Sequence, residues 1–266
     1  MGESISSLSA LKRRIARVGA ASAVAAGDPV ALGHAAIDAA LGGGLARGKI
    51  HELFALVAED AASAAGLALM LATRARNAGA LLWLRTEAAE RRGGRVHGPG
   101  LVDLGIDPGA LVLGVMPDEL TLLKAAVDAV RCAGLGAAVI ECWGNPRALD
   151  LTASRRLAIA AEQSGVTALF LRMEAVPAPS AAETRWAVSA AASTAMDANA
   201  PGQTRFAVEL LRRRAGPAGM RWQMEWDRDR QTFRDPGAPA PSGLVVPLLR
   251  DGPAADPAAG IVRRTA

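Results

Sequence analysis

The stretch "GHAAIDAALGGGLARGKIHELF", residues 33–54, contains the local signals that decide the fold. A short apolar segment carrying Asp38 leads into a glycine-rich turn, Leu41–Gly44. The apolar run of residues 48–56 then predicts a strand, and residues 59–78 predict a helix. A glycine-rich turn, a strand and a helix in this order resemble the approach to a phosphate-binding loop.

The junction between this strand and helix lacks the residues that phosphate binding requires. Glycines let backbone N–H groups face a phosphate, a lysine reaches the terminal phosphates, and a serine or threonine holds the metal ion. Residues 55–66 read "ALVAEDAASAAG", and Ala64 and Ala65 align with the expected lysine and hydroxyl residue. Glu59 and Asp60 place negative charge at the helix start, which favours the helix dipole and repels a triphosphate. We therefore expect no nucleotide cofactor and no catalysis.

Two lysines elsewhere do not replace the missing one. Lys49 begins the predicted strand, about 20 Å from the loop at the strand's far end. Lys124 lies in a later predicted helix with no motif around it. Neither is expected to reach a phosphate at the junction.

The rest of the chain alternates strand and helix before ending in consecutive strands. Apolar runs predict strands over residues 79–87, 110–116, 136–143 and 166–174, and the intervening periodicity predicts helices over 117–134 and 150–165. Strands separated by helices imply a parallel sheet. Three further strands follow one another with only loops between them, over residues 184–191, 204–214 and 220–229. The last alternates apolar and polar residues, with Glu225 on the polar face. The predicted fold is α/β, with a mostly parallel sheet and antiparallel strands at its C-terminal edge.

Three regions differ in composition, and we predict boundaries at residues 1–19, 20–234 and 235–266. Residues 4–18 form a predicted amphipathic helix, which either packs on its own domain or docks on a partner. The tail, residues 235–266, is rich in proline, alanine and glycine and is predicted to be disordered, with the short apolar segment "GLVVPLLR" inside it. The apolar face of the N-terminal helix consists of Ile5, Leu8, Leu11, Ile15 and Val18.

Composition limits the classes of function. The chain has 266 residues, 51% of them hydrophobic, and a formal net charge of +4, which permits weak attraction to nucleic acid without demanding it. Aromatic residues make up only 3%, so the stacking platforms of single-strand binders are scarce. Two basic clusters, residues 90–95 and Arg212, Arg213 and Arg214, are candidates for contact with DNA or an acidic partner, although a solvated face is the simpler explanation of each.

Neither metal binding nor secretion is indicated. His34, His51 and His97 are dispersed, without ligand spacing, and we expect no metal site. Cys132 and Cys142 lack CxxC spacing and are expected to be reduced thiols. The N-terminus does not have the pattern of a signal peptide, and no uncharged apolar run reaches the roughly 20 residues of a membrane span. We expect a cytoplasmic protein without membrane contact.

These segments resemble the RecA family over roughly residues 30–230. The turn and the pattern Gly-x-Ile-x-Glu at residues 48–52 are the most specific part of the likeness, and the order of the later strands agrees with it. The resemblance implies a RecA-like three-layer sandwich. It also places Glu87 and Glu141 where RecA-type enzymes carry carboxylates that orient water and hold the metal ion. Without a phosphate cradle, we interpret both as polar strand ends.

Within the RecA-like group, the basic N-terminal segment, the degenerate phosphate loop and the Pro-rich tail resemble the bacterial ImuA family. The resemblance implies a non-catalytic accessory factor of SOS-induced mutagenesis and translesion DNA synthesis. The implied partners are an ImuB-like polymerase homologue, an error-prone replicative-type DNA polymerase and RecA itself. Two alternatives stay open: a divergent DNA-dependent ATPase of the RecA family, and a cell-division inhibitor of the SulA type.

Overall fold

One mixed sheet organises the part of the chain that the computed structural model describes, namely residues 4–5, 27–76, 79–196, 198, 200 and 202–237. The ten strands are β1 (Ser4–Ile5), β2 (Ile50–Ala55), β3 (Ala80–Thr86), β4 (Leu111–Met116), β5 (Leu135–Trp143), β6 (Thr167–Met173), β7 (Thr184–Ala190), β8 (Arg205–Arg213), β9 (Met220–Asp227) and β10 (Thr232–Arg234). The described α-helices are α1 (Ala35–Leu41), α2 (Ala61–Ala75), α3 (Glu87–Gly93), α4 (Gly98–Asp103), α5 (Glu119–Val130) and α6 (Leu151–Ser164).

The strand order across the sheet is β1-β4-β3-β5-β6-β2-β7-β8-β9-β10. Every neighbouring pair from β1 to β7 is parallel, and the pairs from β7 to β10 are antiparallel. This confirms the predicted mostly parallel sheet with antiparallel strands at its C-terminal edge. Because the parallel strands all run the same way, their carboxyl ends meet at one edge, where ligand sites of open α/β sheets form.

Helices cover both faces of the sheet, so the core has two halves. Helix α2 packs on β2, β5 and β6, while α5 and α6 pack on each other and on the opposite face. The first half of the core includes Leu53, Leu67, Leu171 and Trp186. The second includes Leu82, Leu122, Ile140, Leu157 and Phe170. The three-layer arrangement predicted from the sequence is confirmed.

The opening segment of the core is held by backbone contacts that explain its sequence. The Asp38 carboxylate accepts hydrogen bonds from the backbone N–H groups of residues 32–33, at 2.8 and 2.9 Å. Beyond α1, Val30 and Leu45 exchange two backbone hydrogen bonds of 2.7 and 2.9 Å. Gly44 has a φ of 128°, and a Cβ there would lie only 2.1 Å from the Val30 carbonyl oxygen. The turn therefore requires glycine at this position.

From residue 48 to residue 229 the predicted strands and helices are confirmed with small shifts at their ends, but three short elements after residue 86 were missed. Helices α3 and α4, of seven and six residues, lie between β3 and β4, and β10 has three residues. Segments this short do not complete enough turns or alternations to give a periodic signal. Their absence from the sequence prediction therefore has a simple physical cause.

The polar face predicted for residues 220–227 is wrong at one position. Glu225 is buried, with 5% of its surface exposed. Its carboxylate accepts a hydrogen bond from Arg205 Nη2 at 2.8 Å and also pairs with Arg234. Two arginines from neighbouring strands compensate the buried charge, which the alternation of one strand could not show.

At the N-terminus, the structure differs from the predicted helix over residues 4–18 at its first two residues. Ser4–Ile5 form β1, which pairs in parallel with residues 113–114 of β4. Strand β4 would otherwise be an edge strand with unpaired backbone groups, which explains why an extended segment adds there. The other predicted partner-binding residues, Leu8, Leu11, Ile15 and Val18, lie outside the described residues, as does the tail beyond residue 237.

Candidate functional site

A cavity of about 590 Å³ opens where the carboxyl ends of the parallel strands meet the N-terminus of α2. We call it the edge cavity. Small and apolar residues of α2 form one wall, among them Ala61, Ala65 and Leu69. The ends of two neighbouring strands, β3 and β5, supply its polar and aromatic lining, Trp83, Arg85, Glu141 and Trp143. This is the position at which a RecA-type sequence pattern predicts nucleotide chemistry.

The backbone between β2 and α2 does not have the shape of a phosphate cradle. Val57 is extended, with φ −127° and ψ 158°, and a single 3-10 turn, Ala58–Asp60, leads into α2. None of residues 55–66, all of which are described, has a positive φ. Backbone N–H groups converge on an anion when right-handed and left-handed residues alternate. The amide groups of this junction lack that alternation.

The first turn of α2 has no lysine, and its one hydroxyl residue is Ser63, the third residue of the helix. In such loops the lysine and the hydroxyl residue stand at the start of the helix. Helix α2 begins with Ala61 and Ala62, and the Ala64 and Ala65 of the sequence alignment follow Ser63 in the same helix. Residues 55–66 contain no lysine.

Asp60 at the junction and Lys49 at the opposite end of β2 both have partners within the protein. The Asp60 carboxylate accepts a hydrogen bond from the backbone N–H of Ala190 at 2.9 Å, which ties the junction to the end of β7. Lys49 Nζ lies 2.8 Å from a Glu162 carboxylate oxygen on α6. Asp60 therefore stabilises the connection between the junction and β7. Lys49 is paired with α6 and not with α2.

Glu141 is surrounded by internal hydrogen-bond donors. Trp83 Nε1 donates to one carboxylate oxygen at 3.0 Å, and Trp143 Nε1 donates to the other at 2.8 Å. Arg85 Nη2 lies 3.1 Å from the oxygen that Trp143 contacts, and it also donates to a carbonyl of α3 at 2.9 Å. These contacts favour the interpretation of Glu141 as a structural residue that joins β3, β5 and α3.

The basic cluster that follows Glu87 contributes Arg92 and Arg95 to the lining of the edge cavity. Glu87 is exposed and lies 3.7 Å from Arg91, one helical turn away. Arg92 pairs with Glu174, and its guanidinium lies 4.4 Å from the centre of the Trp143 ring. Two arginines of this cluster are thus used within the protein, one of them in a cation–π contact.

A second buried charge cluster was missed by sequence reasoning. The Glu52 carboxylate lies 3.0 Å from Arg185 Nε and 3.6 Å from Arg172 Nη1, and it accepts a hydrogen bond from Ser180 Oγ at 2.8 Å. Glu52 is only 2% exposed. The available signal was a carboxylate inside an otherwise apolar strand, which requires buried partners. We call this the Glu52 cluster.

The structure separates the three consecutive arginines at the end of β8. Arg213 Nη2 donates to the Leu41 carbonyl at 2.8 Å, at the C-terminus of α1, where positive charge is favourable. Arg212 and Arg214 instead line a second cavity, on the side of α6. Strand alternation explains the division, since side chains at successive positions face opposite sides of a sheet. The predicted cluster is not one continuous basic patch.

The histidines have structural contacts. His34 and His97 accept hydrogen bonds at the N-termini of α1 and α4. Burial lowers the pKa of His51 to about 4, and its ring nitrogens contact Thr184 Oγ1 at 2.8 Å and the Ala46 carbonyl at 2.9 Å. Within the described ranges, no three His, Cys, Asp or Glu side chains are grouped as metal ligands would be.

Comparison with known proteins identifies the family. The chain is 32% identical to Protein ImuA of Caulobacter vibrioides strain NA1000 over 206 residues, which cover 71% of this chain and 80% of that protein. Protein ImuA of a second strain, ATCC 19089, matches to the same extent. The chain belongs to the ImuA family. No family model matches this ImuA-family sequence.

The fold of this ImuA-family chain is RecA-like. It is similar to the crystal structure of the RadB recombinase with a TM-score of 0.51, over 77% of this chain and 99% of that one. The two sequences are only 13% identical, so the likeness concerns the fold alone. None of the described helices combines the length and apolar composition needed to span a bilayer.

Proposed function

We propose that this ImuA-family chain is a non-catalytic accessory protein of SOS-induced mutagenesis and translesion DNA synthesis. Its family and its RecA-like fold support a role in damage-induced mutagenesis. The observation that carries the non-catalytic part is the β2–α2 junction, which has neither a positive-φ residue nor a lysine. The contacts of Glu141 support it, because they leave no carboxylate oxygen free of an internal donor.

In this proposal the protein acts through protein contacts. Its partners are an ImuB-type polymerase homologue, an error-prone replicative-type polymerase and RecA. The segment 4–18 and the tail from residue 235 are the proposed contact regions. Arg212 and Arg214 add a basic surface that is separate from the edge cavity.

Three measurements test the proposal against its alternatives. Labelled ATP should neither bind to the purified chain nor be hydrolysed by it, with or without single-stranded DNA. Hydrolysis stimulated by DNA would establish the ATPase alternative. Partner co-purification from damage-treated cells should be lost on deletion of residues 1–19 or 235–266, and unchanged binding in both deletions would contradict these contact regions. Inhibition of a tubulin-like polymer by the purified chain would favour the cell-division alternative.

A further inference from the structure

A second cavity, of about 370 Å³, lies between α6, the loop before β7 and the end of β8. We call it the α6–β8 cavity. Five of its lining residues lie on one face of α6. They are spaced by three or four residues, or by whole helical turns, and such spacings bring side chains to the same side of a helix. They are Leu151, Arg155, Ala158, Ile159 and Glu162.

The cavity has an excess of arginine. Arg155 comes from α6, and Arg212 and Arg214 come from β8. Within the part of the chain that the structure describes, none of the three forms an ion pair. The carboxylate in the lining, Glu162, is already paired with Lys49 at 2.8 Å. The cavity is therefore electrostatically suited to a negatively charged group.

Beside these charges, the cavity offers an apolar surface. Ile159, on the face of α6 that lines the cavity, is 55% exposed and presents its aliphatic side chain at the surface. Leu151, Ala158 and Ala181 extend this surface. No aromatic side chain lines the cavity, so a nucleobase would have no ring to stack on. An aliphatic side chain next to a carboxylate fits this combination better than a nucleic acid does.

The Glu52 cluster holds the floor of the cavity in place. Ser180 Oγ donates to Glu52 and is contacted by Arg185 Nη2 at 2.8 Å. The next residue, Ala181, donates its backbone N–H to Ser154 Oγ of α6 at 3.1 Å. Because Glu52 and Ser154 both hold this loop, a ligand that binds there would lose little free energy in ordering it.

We propose that the α6–β8 cavity is a docking site for an acidic segment of a partner protein that carries an aliphatic side chain beside its carboxylates. Arg155 and Arg214 contact the carboxylates at the exposed rim, and Ile159 contacts the aliphatic side chain. The inference rests on the proposed function, because a protein that acts through contacts needs such a surface. It adds the location of the surface and the chemistry of the partner.

Selection from a phage library of random dodecapeptides on the full chain tests this directly. Enriched peptides should combine Asp or Glu with Leu, Ile or Val, and a fluorescein-labelled representative should bind the chain in anisotropy measurements. Arg155→Glu with Arg214→Glu should weaken that binding about tenfold or more, since two exposed ion pairs are lost. Ile159→Ser should also weaken it. Arg155→Lys with Arg214→Lys keeps the charge and should retain most of the affinity.

A matched control makes the same change of net charge at two positions outside the cavity. Arg131→Glu with Arg147→Glu replaces two exposed arginines that do not line it, and should leave peptide affinity unchanged. Circular dichroism and thermal midpoints verify that each variant folds. Enrichment of peptides without acidic residues, no enrichment at all, or equal binding by the reversed-charge variant would overturn the inference.

A single-stranded oligonucleotide forms the second arm of the test. If it binds and the Arg155→Glu, Arg214→Glu chain loses that binding, while selected peptides do not compete, the cavity is a nucleic-acid site and the inference is wrong. Partner co-purification separates this outcome from the proposed function. Partners that remain bound to the reversed-charge variant would refute the docking site while leaving the accessory role intact.

Discussion

The Arg85 guanidinium lies 3.1 Å from a Glu141 carboxylate oxygen, and the two side chains are only 4% and 2% exposed. Replacing Glu141 by Ala leaves the arginine charge buried without its partner, and removes the acceptor of two tryptophan N–H groups. We expect the free energy of unfolding to fall by about 3–5 kcal/mol, as measured by urea denaturation. The control Glu87→Ala, at an exposed carboxylate, should change it by less than about 0.5 kcal/mol. Equal effects of the two substitutions would show that the pair is not structural.

Restoring the side chains of a phosphate loop should not restore nucleotide binding. The variant combines Asp60→Gly, Ala61→Lys and Ala62→Thr at the start of α2. Leu56–Glu59, before the substituted positions, still contain no glycine and none of them has a positive φ, so their backbone amide groups are still not turned towards a phosphate. Calorimetric titration with ATP and Mg²⁺ should give no heat of binding beyond that of the unaltered chain. Micromolar affinity would mean that only the side chains had been missing.

The buried imidazole of His51 makes stability depend on pH. Its pKa is about 4 in the folded protein, against 6.5 for an unperturbed histidine, so the unfolded chain binds more protons between these values. The neutral ring makes its full contribution to the free energy of unfolding above about pH 6.5. This contribution falls by about 3 kcal/mol in total as the pH drops towards 4. Denaturation at several pH values should show a smaller loss in His51→Gln than in the unaltered chain. His97→Asn, at an exposed helix cap, should keep the full loss; a curve unchanged by His51→Gln would contradict the assignment.

The two thiols should differ in reactivity. Burial raises the pKa of Cys142 to about 12, and the thiolate is the reactive form. In the chain with Cys132→Ser, an aromatic disulfide reagent at pH 8 should leave Cys142 unmodified until denaturant is added. In the chain with Cys142→Ser, the partly exposed Cys132 should react while the protein is folded. Rapid modification of Cys142 in the folded chain would show that β5 opens to solvent.

Local patterns were sufficient to predict the central strands of the sheet and its three longest helices, α2, α5 and α6. The continuous apolar run in β5 and the acidic start of α5 identify these elements because their signals lie within one segment. The glycine-rich turn before β2 connects them to a known architecture. The β2–α2 junction could also be read directly, since a missing lysine is visible without coordinates.

The charge clusters could not be predicted in the same way. Arg85 and Glu141 are 56 positions apart, and Glu52 is 133 positions from Arg185, so no periodicity within one segment relates them. Only the strand order brings each pair together. The same holds for the α6–β8 cavity, whose arginines come from elements far apart in the chain.

The last strand of the sheet is fastened to the first segment of the core. Phe233 donates its backbone N–H to the Leu32 carbonyl at 2.9 Å, and Thr232 Oγ1 donates to the same oxygen across 200 positions of sequence. The start of the core is therefore completed by residues 232–233, which lie near the end of the core in the sequence. During synthesis, these contacts can form only after almost the whole core has left the ribosome. Until then the incomplete sheet is exposed to chaperones and proteases.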